Sequence, residues 1–414
     1  MKRLLFFFSL LVPLFAFSQG NDTVYINVSA DAVFCSNSLN YNMINKYFKG
    51  GKIDNELKDK WSRHIKDDNR LFTDDAVEIS ALWRLQGKRY AIGLSYQLRF
   101  FGEARFTETL WNTAFYGNKQ YGTDKVDFGF NAFRYTAYRD LKLEFATPEW
   151  KLNDKSRLHL TLAGGFRVGI GDIDFVASEL TMQNMTGLFE QINIQGAFDL
   201  QNSSSQYING IGGAFDLGLH FVGEFAERNL WQFHLFTKNL GFIRWKSNSL
   251  ALSKNLDFSF EGLEMNLSKV SGGFRGVVDS LIGFVADSAG RGPYLSASPA
   301  SLHASTEILF YNYHPLIVGV SGAVVSTLFS RFVMMASVAP SVGKEWKTAN
   351  SKRRFIFSLP VSYCNYSGFG VGGAIDFLYI PVDDMKFAFS IAGGVRGFTS
   401  AAPYGALKLL FEIQ

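Results

Sequence analysis

The stretch AFDLGLHFVGEF (residues 214–225), followed after a short polar turn by WQFHL (residues 231–235), decides the fold class. Apolar side chains fall at Phe215, Leu217, Leu219, Phe221 and Phe225, and resume at Trp231, Phe233 and Leu235. Between them stand Asp216, Gly218, His220, Val222 and Glu224, then Gln232 and His234. Successive strand side chains point to opposite faces, so this is a β-hairpin with one greasy face and one polar, partly charged face. A soluble sandwich would bury the greasy face against a second sheet. A membrane barrel would show it to lipid and keep the polar face around a lumen.

The start of the chain favours the barrel. Lys2 and Arg3 precede an apolar run from Leu4 to Phe17 that ends in Ala16-Phe17-Ser18. A basic start, a short apolar core and small residues before a break are the marks of a secretory signal. Cleavage after Ser18 is expected, and no cysteine stands there to take a lipid. Composition agrees: 16% aromatic residues, 39 glycines and a mean hydropathy of only +0.03 suit apolar residues spread on alternate positions of many strands. A formal net charge of +4, part of it in the signal, gives no case for nucleic acid. The two cysteines, Cys35 and Cys364, are far apart; spacing does not say whether they pair.

Other hairpins repeat the pattern. Val77, Ile79, Ala81, Trp83 and Leu85 alternate with polar residues up to Gly87-Lys88, a glycine-first pair suited to a tight hairpin turn. Tyr90, Ile92, Leu94, Tyr96, Leu98 and Phe100 return. If Leu85 faces Tyr90, Glu78 opposes Gln97 and lies diagonal to Arg99, within reach of an ion pair. Residues 157–170 put Leu158, Leu160, Leu162, Phe166, Val168 and Ile170 on one face, and Arg157, His159, Thr161 and Arg167 on the other. Three ionisable groups on one strand face suit a wet lumen. A long irregular stretch is expected from Gly171 to Gly213. The apolar segment from Pro315 to Val338 divides into two strands near Ser326-Thr327, and Trp245 with Arg244 reads as an anchor at the membrane interface. The whole gives an all-β, antiparallel transmembrane barrel of about fourteen strands.

Ahead of it lies a segment without alternation. Ile53, Leu57, Trp61 and Ile65 form a stripe four residues apart on one helical face, and Gly50-Gly51 separates it from residues 38–48. Such helices could plug the lumen or cap one end. The expected organisation is a signal peptide at 1–18, an N-terminal segment with plug or cap helices at 19–75, and a barrel at 76–414.

Arg99, Arg167, Asp216, His220, Glu224, His234 and Lys238 are the candidate lumen residues for ligand binding. A histidine and carboxylate cluster could hold a metal or act as a base. No Ser or Cys nucleophile is tied to it by a motif, so it reads as a lumen network, with no catalytic residue, metal or cofactor expected. The glycines from Gly368 to Gly373 satisfy G-x-G-x-x-G but lie inside an alternating strand, where no helix can receive a phosphate.

KNLGFIRWKSN (residues 238–248), GIGGAFDLGLHF (210–221), FYGNKQY (115–121), IDNELKDK (53–60) and YSGFGVGGAIDF (366–377) together resemble an uncharacterised outer-membrane barrel family of the Bacteroidetes. That family is distantly similar to the long-chain fatty-acid transporter barrels. The resemblance implies fourteen strands, an N-terminal plug and lateral release of a hydrophobic ligand. The Asn-Pro-Ala signature of the transporters' plug is absent; Val28-Ser29-Ala30-Asp31 stands near its place. The expected function is a gated pore or transporter for a small hydrophobic or amphipathic solute. The alternative is a non-transporting scaffold or accessory barrel in envelope assembly or secretion. Outer-membrane lipid and, during biogenesis, the barrel-assembly machinery are the expected partners, and the outer membrane is the expected location.

Overall fold

The computed structural model describes residues 23–39, 43, 54–84, 88–185, 191–204, 208–226, 229–261, 291–313, 315–328, 333–348, 351–381, 385–396 and 402–413. The first strands are β1 (Thr23–Ser36), β2 (Asn69–Arg84), β3 (Ala91–Phe106), β4 (Lys125–Asp127), β5 (Asn131–Ala146), β6 (Trp150–Asn153) and β7 (Ser156–Met185). Then come β8 (Gln191–Ser204), β9 (Gly210–Phe225), β10 (Asn229–Trp245), β11 (Leu250–Glu261), β12 (Leu295–Ala297) and β13 (Ala300–Tyr313). The last are β14 (Leu316–Leu328), β15 (Met334–Thr348), β16 (Ser351–Ser358), β17 (Val361–Cys364), β18 (Gly368–Pro381), β19 (Met385–Arg396) and β20 (Ala402–Ile413). Among the described residues, helices α1 (Asn55–Ser62) and α2 (Glu108–Tyr116) lie in connections.

Each wall strand pairs antiparallel with the next, in the order β1, β2, β3, β5, β7, β9, β10, β13, β14, β15, β16 with β17, β18, β19 and β20. β20 returns to β1, with Val24 opposite Ile413 and Val33 opposite Tyr404, and closes a barrel of fourteen strands. Closure leaves no edge in the wall, so every strand finds its hydrogen bonds inside the protein, as hydrocarbon surroundings require. The outer face carries the apolar half of each alternation: Leu143 is 71% exposed and Phe166 73% exposed, and Leu217, Trp231, Val320 and Val371 are exposed likewise on other strands. No described helix is long and apolar enough to cross a membrane. The strands present the lipid-facing surface.

Tight connections, such as 349–350 between β15 and β16 and 382–384 between β18 and β19, cluster at one end together with both ends of the chain. Long ones, including 37–68, 107–130 and 246–294, cluster at the other. In bacterial outer-membrane barrels the long-loop end is the extracellular one.

Several expectations need correction. The wall begins at Thr23 rather than at residue 76, because β1 pairs along its length with both β2 and β20. Val28-Ser29-Ala30-Asp31 is accordingly wall, not plug. β7 does not give way to an irregular stretch after Gly171 but runs on to Met185, where it pairs with β8, and β8 pairs in turn with β11. Residues 255–261, expected in the barrel, therefore belong to this sheet beyond the wall. The described residues between Trp245 and β12 lie at the long-loop end. The apolar segment does divide into two strands, with the break after Leu328.

The stripe helix lies in the connection from β1 to β2, at the long-loop end. α1 is started by the Asp54 carboxylate, which accepts from Leu57 N at 2.9 Å, a helix N-cap. It packs on α2 of the β3–β5 connection: the Trp61 and Phe115 rings meet edge to face at 6.3 Å, and the Trp111 indole N–H donates to Ser62 Oγ at 3.0 Å. Trp61 and Ile65 are buried and Leu57 is half-buried, while Ile53 and most of residues 38–48 lie outside the described residues.

Candidate functional site

The inner faces of β2, β3, β5, β7, β9, β10 and β13 build a lumen whose character changes along the axis. Nearest the long loops it is filled by apolar side chains. Cys35, Phe72, Phe101, Val333, Cys364 and Tyr366 form one cluster, none more than 5% exposed. Beside it Tyr138, Ile243 and Trp245 pack together with Tyr294. Trp245 is only 1% exposed, so it is not the interfacial anchor expected from the sequence. Its indole N–H donates to Ser296 Oγ at 2.8 Å, and its ring lies over Gly169 and Gly210. A Cβ at Gly210 would come within 2.9 Å of that ring, so a side chain there would displace it.

Below this stopper lies a layer of arginines. Arg99 grips Asp74 with two nitrogens at 2.7 and 2.6 Å and uses a third on Tyr138 Oη at 3.0 Å and Pro299 O at 2.8 Å. Arg167 grips Asp140 at 2.7 and 2.6 Å and donates to Ser298 Oγ and to Asn239 O. Arg134 donates to Ala297 O. Three wall strands, β3, β5 and β7, thus reach across to one short segment, 297–299, where β12 breaks from β13. Both side chains of the Arg167–Asp140 pair are fully buried. Such a pair needs good geometry and further hydrogen bonds, which the two-pronged contact and the bonds from Arg167 to Ser298 and Asn239 supply. Asp172, also buried, accepts from the hydroxyls of Thr136 at 2.7 Å and Tyr294 at 3.0 Å.

Facing that segment, β10 carries a bulge between Thr237 and Leu240. Asn239 holds a left-handed φ of 63°, which asparagine tolerates better than most residues. The Asp216 carboxylate accepts from its backbone N–H at 2.6 Å, and its carbonyl accepts from Ser298 Oγ at 3.1 Å. The other Asp216 oxygen takes the Lys142 ammonium. KNLG and GIGGAFD, quoted above for the resemblance, meet across β9 and β10, with Leu240 opposite Phe215 and Phe242 opposite Gly213.

Towards the tight-turn end the lumen opens. Lys238 reaches Glu78 at 3.5 Å, yet 41% of its side chain is accessible. Asp31 and Lys408 are exposed in the same chamber, and Asp31, Glu78, Glu144 and Asp216 are the acids around Lys238. Four of the chain's six histidines line one side. His159, His220 and His234 stand directly opposite one another on β7, β9 and β10. The first two rings stack at 4.5 Å, and Nδ1 of His220 lies 2.9 Å from Nδ1 of His234. Phe236 and then His303 continue the row. Among the described residues no group of three or more histidine, cysteine or acidic side chains is arranged to hold a metal ion.

Of the sequence candidates, Arg99, Arg167, Asp216, His220, His234 and Lys238 converge in the lumen. Glu224 stands exposed at the tight-turn rim, apart from the cluster it was expected to join. Glu78 does oppose Gln97, 3.4 Å away, but Arg99 pairs with Asp74 and leaves Glu78 to Lys238. His220 and His234 stand directly opposite each other. Sequence reasoning missed Asp74, Arg134, Asp140 and Lys142. The last three share with Thr136 and Glu144 the even positions of β5, a polar alternation open to the same reading as β7. Outside the wall, Phe166, Ile211 and Phe242 border an apolar groove of about 680 Å³, which belongs to the lipid-facing surface.

A closed, fourteen-stranded antiparallel wall, apolar without and polar within, defines an outer-membrane β-barrel. Residues 16–383 match a family of unknown function, DUF5723, and the chain belongs to that family. No curated protein matches the sequence. Among solved structures the chain is similar to a Pseudomonas aeruginosa FadL homologue, with 11% identity, 95% of this chain and 90% of that one covered, and a TM-score of 0.41. It is similar also to the CymD monoaromatic hydrocarbon channel (10% identity, 98% and 91% covered, TM-score 0.39). The P. putida toluene transporter TodX is a third (7% identity, 95% and 90% covered, TM-score 0.38).

Proposed function

We propose that the protein is an outer-membrane channel for a small amphipathic solute, closed at its long-loop end in the state described. The supporting observation is the contrast along one lumen. Its outer end is filled by side chains buried to 5% or less, while Lys238 below them keeps 41% of its side chain accessible. A barrel filled throughout would leave the Lys238 side chain no accessible surface. Lys238 and Lys408 suit an acidic head group, and the Phe236 and histidine row gives an apolar body a surface to slide on.

Planar-bilayer recordings of the whole protein beside a variant lacking residues 38–67 test this reading. It expects a quiet or rarely opening intact barrel and frequent conductance steps once the cap is removed. If both stay silent while folded, and vesicles carrying either protein take up no fluorescent fatty acid, the channel reading fails. The second reading, an accessory barrel for envelope assembly or secretion, is favoured by the sheet beyond the wall. There, apart from one bridge between Leu250 and Arg291, β11 has only β8 as a strand partner among the described residues. Such an edge can take a further strand.

A further inference from the structure

The chain has two cysteines, one near each end of its length. Cys35 is the second-last residue of β1 and Cys364 is the last of β17. Along the wall β18, β19 and β20 separate these strands. Both side chains nevertheless turn inward and meet in the apolar cluster at the long-loop end, each 0% exposed. The two side chains belong to one packed cluster, and Tyr366 N donates to Cys364 Sγ at 3.4 Å. Phe72, Phe101, Val333 and Tyr366 enclose the pair.

We propose that Cys35 and Cys364 form an intramolecular disulfide in the exported protein, stapling β1 to β17 across the lumen. The electrons go to a disulfide-bearing thiol oxidant, the class that oxidises exported proteins. One cysteine thiolate attacks the oxidant's disulfide, forming a mixed disulfide and releasing one oxidant sulfur as a thiolate. The second cysteine, deprotonated, then attacks the mixed disulfide at the first cysteine's sulfur, and the oxidant departs as a dithiol. Two thiol protons and two electrons leave the barrel and one S–S bond forms.

Burial sets the timing. No oxidant can reach either sulfur in the finished barrel, so the bond forms as the first strand and the eleventh converge, before the stopper packs. Once made, it is hidden from reductants by the same side chains. The staple also holds the strand that leads into the α1 cap, so it fixes the filled end of the lumen whether or not the barrel conducts.

The test begins with wild-type protein taken from outer membranes with thiols alkylated at lysis. After denaturation and digestion without reductant, mass spectrometry should find the Cys35 and Cys364 peptides joined, with little alkylated form. A soluble phosphine added to the folded barrel should leave the bond intact, and the same phosphine in denaturant should break it. Both cysteines alkylated in the membrane-derived protein, or each joined to a different molecule, overturns the proposal. As a second measurement, Cys35→Ser, Cys364→Ser and the double variant should lose their heat-resistant gel mobility at the same temperature, below that of wild type. Variants that melt with wild type, or single variants that differ from the double, also overturn it.

Discussion

Arg167 lies face-on against the ring of Tyr138, its guanidinium carbon 3.9 Å from the ring centre, while its nitrogens hold Asp140 at 2.7 and 2.6 Å. The same tyrosine hydroxyl accepts from Arg99. Tyr138 therefore joins the two buried ion pairs of the lumen into one unit. A planar, always-charged fork suits stacking and bidentate pairing together, which an ammonium does not. Replacing Arg167 by Ala would leave Asp140 buried without its cation, a change that costs about 3–5 kcal/mol. Arg167→Lys should recover only part of that, since it keeps the charge but loses the stack and one hydrogen bond. Urea midpoints of the folded barrel in micelles measure both; a lysine variant as stable as wild type would remove the argument from geometry.

Arg99 fastens the inner layer to Pro299 O, on the segment where β12 breaks from β13. If this layer holds the lumen shut, Arg99→Met should raise the frequency of conductance steps even with the cap intact. Leu98→Met, the neighbouring residue on the opposite face of β3, serves as the control and should leave the recordings unchanged. Equal, silent traces from Arg99→Met and wild type would place the closing element elsewhere.

The hairpin of β9 and β10 was legible because its alternation is long and uniform, and counting outward from Gly87-Lys88 yields the Glu78–Gln97 register that β2 and β3 adopt. Trp245 shows where alternation stops being a guide. Counting by twos from Trp231 and Leu235 puts Trp245 on the lipid face. The bulge between Thr237 and Leu240 reverses the parity, so Phe242 is 51% exposed and Trp245 is buried. Its sequence signs, Asn239 and Gly241, are too common to be read alone. The meetings of Arg99 with Pro299 and of Cys35 with Cys364 depend on barrel closure, which no local pattern carries. The β8 and β11 sheet was missed for a related reason: strands that leave the wall look like strands that stay in it.

At the long-loop rim, Asp68 accepts from Arg70 at 2.7 Å and from Arg105 at 2.7 Å. Partial burial pushes its carboxyl upward, but hydrogen bonds from Arg70 and Arg105 outweigh that and hold it below the usual carboxylate range. A lowered native pKa means that the pairing contributes above the unfolded value of about 3.9 and is lost as pH falls through the native value. The anchoring of the cap connection should thus be flat across neutral pH and weaken only in acid. Both partners are well exposed, so the contribution is about 0–1 kcal/mol. Asp68→Asn should speed limited proteolysis between residues 54 and 68 at neutral pH. The variant's rate should also respond less to acid than that of wild type; parallel pH profiles would show that this carboxylate does not hold the cap.

Lys238 sits among Asp31, Glu78, Glu144 and Asp216 with 41% of its side chain accessible. Should current pass through this chamber, Lys238→Glu removes a cation and adds a fifth acid, so reversal potentials in a salt gradient should move towards cation selectivity. The shift should shrink at high salt, where screening over about 3 Å at 1 M isolates the ring from the permeating ion. Unchanged selectivity at low salt would mean that the conducting path bypasses Lys238.

Trp245 and Gly210 are coupled by shape, and a double-mutant cycle can measure the coupling. Ala at 210 forces a methyl to within 2.9 Å of the Trp245 ring and 2.5 Å of Ile243 Cγ2, an overpacking expected to cost about 1–3 kcal/mol. Trp245→Ala empties the stopper, leaves Ser296 Oγ without its indole donor, and should cost about 3–5 kcal/mol. In the double variant the new methyl at 210 occupies space that the indole has vacated. Its cost should then fall short of the sum of the single changes by 0.5 kcal/mol or more, on the order found for residues in contact. Strict additivity in urea midpoints would mean that Trp245 does not lie over Gly210 in the folded barrel, and the stopper would need another centre.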